Sequence, residues 1–189
     1  MVIVTGYNRN RAYRYARKWA LERNPIFENY SGIGGDCTNF VSQCIYAACC
    51  QMNFTPTFGW YYNSPTDRAA AWTGVEYFYN FIVNNTGLGP FGRVITDFRE
   101  LKIGVVIQLA KNDGGYYHSL IVTGFAGLGG YIPLVSAHSD DVFDRRLTTY
   151  NYDYSRYIHI DGIRIDTDTI ENCFEYMMSG GQISADSAN

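Results

Sequence analysis

The 189-residue sequence predicts an α+β domain with N-terminal helices packed on an antiparallel β-sheet. Three observations carry that expectation. Apolar residues recur at helical spacing up to about residue 85. From Arg93 onward, short apolar stretches alternate with turns rich in Gly, Asn and Asp. Those stretches follow one another with no helix between them, which makes consecutive strands antiparallel neighbours. The length suits one domain with a sizeable core. It reads as a folded unit over 1–178 and a flexible Ser/Gly-rich tail over 179–189.

The first helix is expected over residues 8–22. Asn8 serves as its N-cap, and Ala12, Tyr15, Ala16, Trp19 and Ala20 form one buried face. Arg9, Arg11, Arg14, Arg17 and Lys18 fall largely elsewhere and read as a solvated face. Asn24-Pro25 ends the helix. Glycines 32, 34 and 35 then predict a turn with positive φ. Residues 37–50 follow as a buried helix, with Phe40, Val41, Cys44, Ile45 and Ala48 at helical spacing and Cys37 in its first turn.

Residues 51–73 read as a long loop holding Phe54, Phe58, Trp60, Tyr61, Tyr62 and Trp72. Rings at this density argue against disorder, and loops of this length are commonly functional. Trp60, Tyr61 and Tyr62 either wall a substrate cleft or pack over the core. A third helix is expected over 74–85, stopped by Gly87-Leu-Gly-Pro90. Strands follow at 103–109, 117–124 and 131–138, joined by turns at 112–115 and 126–130. Residues 139–154 read as polar and irregular, 157–165 as another strand with His159 in a structural place, and 168–178 as a short closing helix.

Fifteen Lys and Arg against 18 Asp and Glu give a net charge of −3 with no basic block, which argues against nucleic acid as the main partner. Nothing approaches the length of a membrane span. The first residues lack the features of a signal peptide. The chain therefore reads as cytosolic in its producer, as a secreted domain with its export signal removed, or as a phage lysin released by lysis. The five cysteines contain no Cys-x-x-Cys pair, so a zinc ribbon is disfavoured. Cys49 and Cys50 are adjacent, a spacing that rarely satisfies bridge geometry. Free thiols are expected, one of them functional. Asp166-Thr-Asp168 lacks the glycine and glutamate of a calcium loop, and no metal or cofactor is assigned.

A thiol hydrolase needs an activated cysteine, an imidazole within reach and a polar group to orient that imidazole. Cys37, at a helix start behind Gly34-Gly35, faces unpaired N–H groups and the positive end of the helix dipole, which favour thiolate. His118 lies early in one strand. His138 ends the next, where antiparallel pairing brings the two histidines close. Strand alternation puts Ser136, His138 and Asp140 on one face, so Ser136, Asp140 and Asp141 are alternatives to His138 as third group. The Cys37 N–H is the first oxyanion donor.

Gly35-Asp-Cys-Thr-Asn-Phe-Val-Ser-Gln43, the helix start Tyr7-Asn-Arg-Asn-Arg-Ala12, His118-Ser-Leu-Ile-Val-Thr-Gly124 and Leu134-Val-Ser-Ala-His-Ser139 together resemble the putative amidase domain family of bacterial proteins. The resemblance spans roughly residues 7–160. That family is similar to the NlpC/P60 and CHAP cell-wall hydrolases, which implies a papain-like fold of the NlpC/P60 type. It also implies Cys37 as nucleophile, His118 as base and His138 as orienting residue. Asp36 matches the residue that in NlpC/P60 proteins binds the free amine of a peptidoglycan stem peptide. Two departures are present: Gly104-Val105 replaces the usual Gly-Asp, and Asn39 stands where NlpC/P60 domains have glycine.

The function expected is hydrolysis of an amide bond in bacterial cell-wall peptide by a peptidoglycan amidase or endopeptidase working through an acyl-enzyme. A non-catalytic cell-wall or peptide-binding module and a cytosolic cysteine peptidase or transamidase are the alternatives. Peptidoglycan or a peptide is the partner in every case. The bond cleaved and the oligomeric state are not legible.

Overall fold

One seven-stranded antiparallel sheet positions the helices. The computed structural model describes residues 1–112, 114–168 and 172–182. Within them the order is β1 (Val2–Thr5), α1 (Arg9–Trp19), α2 (Cys37–Cys49), β2 (Tyr62–Ser64), β3 (Asp67–Arg68), α3 (Ala70–Thr73), α4 (Val75–Asn84), β4 (Gly89–Ile95), β5 (Val106–Ala110), β6 (Tyr116–Ala126), β7 (Ile132–Ala137), β8 (Val142–Arg146), β9 (Tyr154–Asp166) and α5 (Cys173–Met178). The sheet runs β1-β9-β5-β6-β7-β8, with β4 paired along β9, and β2–β3 forms a separate hairpin. The α+β class expected from the sequence is the class observed.

Both faces of the central strands are covered, which explains the near-continuous apolar run of β5. Val106, Ile121, Ile158 and Ile160 meet the helices. Ile107, Leu109, Leu120, Val122 and Val135 pack on the opposite face with Leu147. On the helix side, α1 buries Ala12, Tyr15, Ala16 and Trp19, and the Asn8 side chain caps it by accepting from the Arg11 N–H at 3.1 Å. Helix α2 is buried without a break from Cys37 to Ile45.

Its polar residues are tolerated there because each has a partner. Trp72 Nε1 donates to Asn39 Oδ1 at 2.9 Å, Trp60 Nε1 to Ser42 Oγ at 3.0 Å, and Tyr15 OH to Gln43 Oε1 at 2.8 Å. The Thr-Asn-Phe-Val-Ser-Gln run is therefore an address list for the surrounding elements.

The 51–73 segment is not a loose loop. An isolated bridge joins Asn53 to Trp60, and the hairpin and α3 follow. Trp60 and Trp72 are wholly buried with ring centroids 4.9 Å apart. Tyr62 is buried as well, and its hydroxyl accepts from the Glu28 N–H at 2.9 Å. Trp60 and Tyr62 are thus core residues rather than cleft walls. Tyr61 is half-buried, its ring 5.1 Å from that of Phe54.

Residues 139–154, expected to be irregular, supply β8 and a 3-10 turn at Leu147–Thr149. Strands β1 and β4 were also unforeseen: β1 is short and mostly exposed, and β4 opens on Gly89-Pro90. Of the closing helix expected over 168–178, Cys173–Met178 is helical and Asp168 lies in a turn, while 169–171 lie outside the described residues. Residues 183–189 of the expected tail lie outside the described residues.

The cysteines correct the free-thiol expectation. Cys50 and Cys173 form a disulfide across a separation of 123 residues, while Cys37, Cys44 and Cys49 are free. Adjacency to Cys49 hid the pairing, because the partner comes from the far end of the chain. The bridge ties the C-cap of α2 to the first residue of α5. Closing so long a loop restricts the unfolded chain, so Cys50→Ser/Cys173→Ser is expected to cost about 2–5 kcal/mol. Urea denaturation of the double variant, beside wild type with and without reductant, checks this.

Candidate active site

The approach to α2 is set by backbone that only glycine adopts freely: Gly32, Gly34 and Gly35 have φ of 88°, 102° and 103°. Asp36 occupies the N-cap position but makes no side-chain cap bond. Its carboxylate turns inward instead. Oδ1 accepts from the Tyr30 N–H at 3.0 Å and from Asn39 Nδ2 at 2.7 Å. Oδ2 lies 2.7 Å from His138 Nδ1 and 3.3 Å from Arg23 Nε. The first N–H groups of the helix are consequently left without a side-chain cap beside Cys37. The N–H groups of Cys37, Thr38 and Ser119, with the Thr38 hydroxyl, all favour a negative sulfur. Burial nevertheless outweighs them and pushes the Cys37 thiol above its ordinary range. The helix start alone therefore does not produce the low-pKa thiol expected from sequence.

His118 lies near the start of β6, opposite Leu109 and beside a register shift in β5. The ring sits between Tyr117 and Tyr150, with centroids 6.2 and 6.0 Å away. Among the described residues its nitrogens form no hydrogen bond. Burial pushes its pKa down to about 4; Asp140 opposes that shift and Arg145 adds to it. At neutral pH His118 is an uncharged imidazole with an uncommitted lone pair, the state a general base requires.

The two elements meet one residue further on: Thr38 Oγ1 and Ser119 Oγ are 2.9 Å apart. Gln108 Nε2 donates to Ser119 Oγ at 3.1 Å and to the Val75 carbonyl at 3.0 Å, while its Oε1 accepts from Arg156 Nε at 2.7 Å. Because the Gln108 amide must donate, Ser119 is left able to donate to Thr38, and Thr38 toward Cys37 Sγ, 3.9 Å away. Sequence patterning missed this chain. No hydrogen bond joins the Cys37 thiol to the His118 ring.

His138 is placed differently from expectation. It is wholly buried, its ring 4.1 Å from that of Phe40. Nε2 lies 2.8 Å from the Trp19 carbonyl, which only accepts, so Nε2 carries a proton. Nδ1 faces the Asp36 carboxylate. Both nitrogens are committed and neither remains to orient His118. The geometry makes His138 a buried tie between the end of α1 and the start of α2. Asp36 is equally enclosed, so a substrate amine has no path to its carboxylate.

Of the other third-group candidates, Ser136 is buried against Thr123 at 2.9 Å. Asp141 is paired with Arg23 at 2.8 Å. Asp140, exposed in the turn after β7, is the one that acts on the His118 charge. That turn closes on the site through Ser139, whose Oγ accepts from the Asp36 N–H at 3.0 Å.

Cys37 and His118 keep 6% and 8% of their surface accessible. Clefts of about 690, 340 and 220 Å³ lie elsewhere, and neither residue lines them.

The family model described as a putative amidase domain matches residues 6–160. Two uncharacterized proteins of Bacillus subtilis strain 168 are similar to the chain. YhbB is 32% identical over 152 residues, covering 79% of this chain and 46% of YhbB. YjcM is 33% identical over 144 residues, covering 72% of this chain and 32% of YjcM. The chain thus spans less than half the length of the curated relatives it matches. No solved structure matches it significantly.

Proposed function

Since the chain belongs to the putative amidase domain family, we propose that it is a thiol-dependent amide hydrolase of papain-like type, acting on bacterial cell-wall peptide. The observation that carries this reading is a neutral, uncommitted imidazole on the strand that abuts the uncapped helix start bearing Cys37. Cys37 Sγ passes its proton to His118 as it attacks the amide carbonyl carbon. The developing oxyanion is met by the Cys37 N–H. The C–N bond then breaks, the amine leaves with the proton returned by His118, and a thioester remains. Water, deprotonated by His118, releases the acid and regenerates the thiol. Because the thiol's own pKa is raised, the proton transfer accompanies attack rather than preceding it.

The Cys50–Cys173 disulfide supports action outside a reducing compartment. It therefore favours a secreted or lysis-released protein over a cytosolic peptidase. The enclosure of Cys37 supports a second reading, a cell-wall peptide binder without turnover. Mass spectrometry of fragments released from purified peptidoglycan separates the two and identifies the bond. New amine and carboxyl ends are expected with wild type and not with Cys37→Ala. The same ends from both proteins would remove Cys37 from the chemistry.

The pH profile follows from His118. A base must be unprotonated, so kcat/KM is expected to hold as pH falls from neutrality and to decline only as pH passes about 4. A decline centred near the ordinary histidine value of about 6.5 would show that His118 is not the base in its present setting.

A further inference from the structure

The cleft of about 690 Å³ lies between α4 and the 53–59 segment, and its lining carries no charged side chain. Tyr77, Asn80 and Asn84 form an outward stripe along α4, at the spacing of successive helix turns. Opposite them stand Thr55, Thr57 and Phe58. Tyr77 is 64% exposed and Phe58 79%, although neighbouring rings of both segments join the core. The side-chain amide of Asn80 and the hydroxyls of Tyr77, Thr55 and Thr57 form no hydrogen bond among the described residues.

The backbone holds Phe58 outward at a cost. The Phe58 N–H donates to the Pro56 carbonyl at 2.8 Å across Thr57, whose φ is +68°. This is a tight γ-type turn, in a region a β-branched residue rarely adopts. Behind it, a Cβ on Gly59 would stand 2.3 Å from the Asn53 carbonyl oxygen, so the segment is pinned. Strain of this kind persists where a site needs it.

We propose that this cleft binds an uncharged saccharide. Amides and hydroxyls that both donate and accept match the paired hydroxyls of a pyranose. Exposed rings offer flat apolar surfaces to its C–H faces. A phosphate, nucleotide or charged peptide would find no counter-charge there. Neither Cys37 nor His118 lines the cleft. Saccharide binding is therefore independent of the thiol chemistry.

The test is calorimetric and NMR titration of the full chain with two neutral probes, tri-N-acetylchitotriose and maltotriose. The two probes separate N-acetylated from plain glucan recognition. Binding of at least one is expected. Phe58→Ala and Tyr77→Ala should each weaken it about five- to tenfold, the scale of one lost ring contact. Asn80→Ala should weaken it as well. All three positions are exposed, so melting temperatures should hold. Cys37→Ala should bind as wild type does, so that loss of hydrolysis and loss of saccharide binding can fail separately. Absence of binding to both probes at millimolar concentration, or equal binding by the Phe58 and Tyr77 variants, overturns the proposal.

Discussion

Cys37→Ala is expected to abolish amide hydrolysis, lowering kcat by about three to six orders of magnitude while the protein stays folded. The size follows from the role: without sulfur no thioester forms, and positioning plus an oxyanion donor supply only the residual rate. The small structural cost follows from the surroundings. Sγ is met by N–H groups and the Thr38 hydroxyl, and Cys37 belongs to neither apolar core cluster. Initial rates of amine release, with a thermal melt of each variant, check both halves. His118→Ala should fall nearly as far, because base and nucleophile act as a unit. Ser119→Ala, which cuts the hydrogen-bond chain to Thr38, should lose far less. Retained turnover in Cys37→Ala, with loss in Cys49→Ala, would move the chemistry to another thiol.

The sequence made the helices and the central strands legible because their side chains repeat with the period of the element. Ala12, Tyr15, Ala16 and Trp19 mark a helix whatever surrounds it. The alternating residues of β6 divide between two cores in the same way. What stayed hidden was partnership across distance. Cys50 pairs with Cys173, and β1 gains its place by pairing with β9, from Val2 opposite Asp166 to Thr5 opposite Ile163. Neither feature has a local signature. The aromatic run at 60–62 was ambiguous for the same reason: rings that wall a groove and rings that fill a core look alike until their neighbours are known.

The candidate site divides similarly. Cys37 and His118 stand out as a thiol at a glycine-led helix start and a histidine early in a strand. Gln108, Ser119 and Thr38 read as ordinary polar residues, although they link the start of α2 to the sheet. Their one signal was polarity at positions that the hydrophobic period assigns to the interior, and a buried polar residue implies a partner without naming it. His138 shows the opposite error. Its place at the end of an apolar strand correctly marked it as unusual. Its function depends on Asp36 and the Trp19 carbonyl, which are 102 and 119 residues away in sequence.

That reassignment gives the second large effect. Asp36→Ala and His138→Ala are each expected to destabilise the fold by about 3–5 kcal/mol, the cost of leaving one member of a fully buried, hydrogen-bonded carboxylate–imidazole pair without its partner. Loss of Asp36 leaves His138 Nδ1 without a partner in a site with no exposure, frees the Tyr30 N–H and leaves the Asn39 amide with the Glu28 carbonyl alone. Loss of His138 leaves the Trp19 carbonyl with the Glu22 N–H alone, 3.3 Å away, and opens a void against the Phe40 ring. The two losses overlap, because both undo the same tie between α1 and α2. The double variant should therefore cost clearly less than the sum of the single ones. Urea denaturation of the three variants measures the coupling, and kcat/KM of the protein that remains folded at low temperature separates structure from catalysis. A structural tie predicts near-normal activity per folded molecule. An orienting role predicts a collapse in kcat with stability kept, and that outcome would return His138 to the catalytic group.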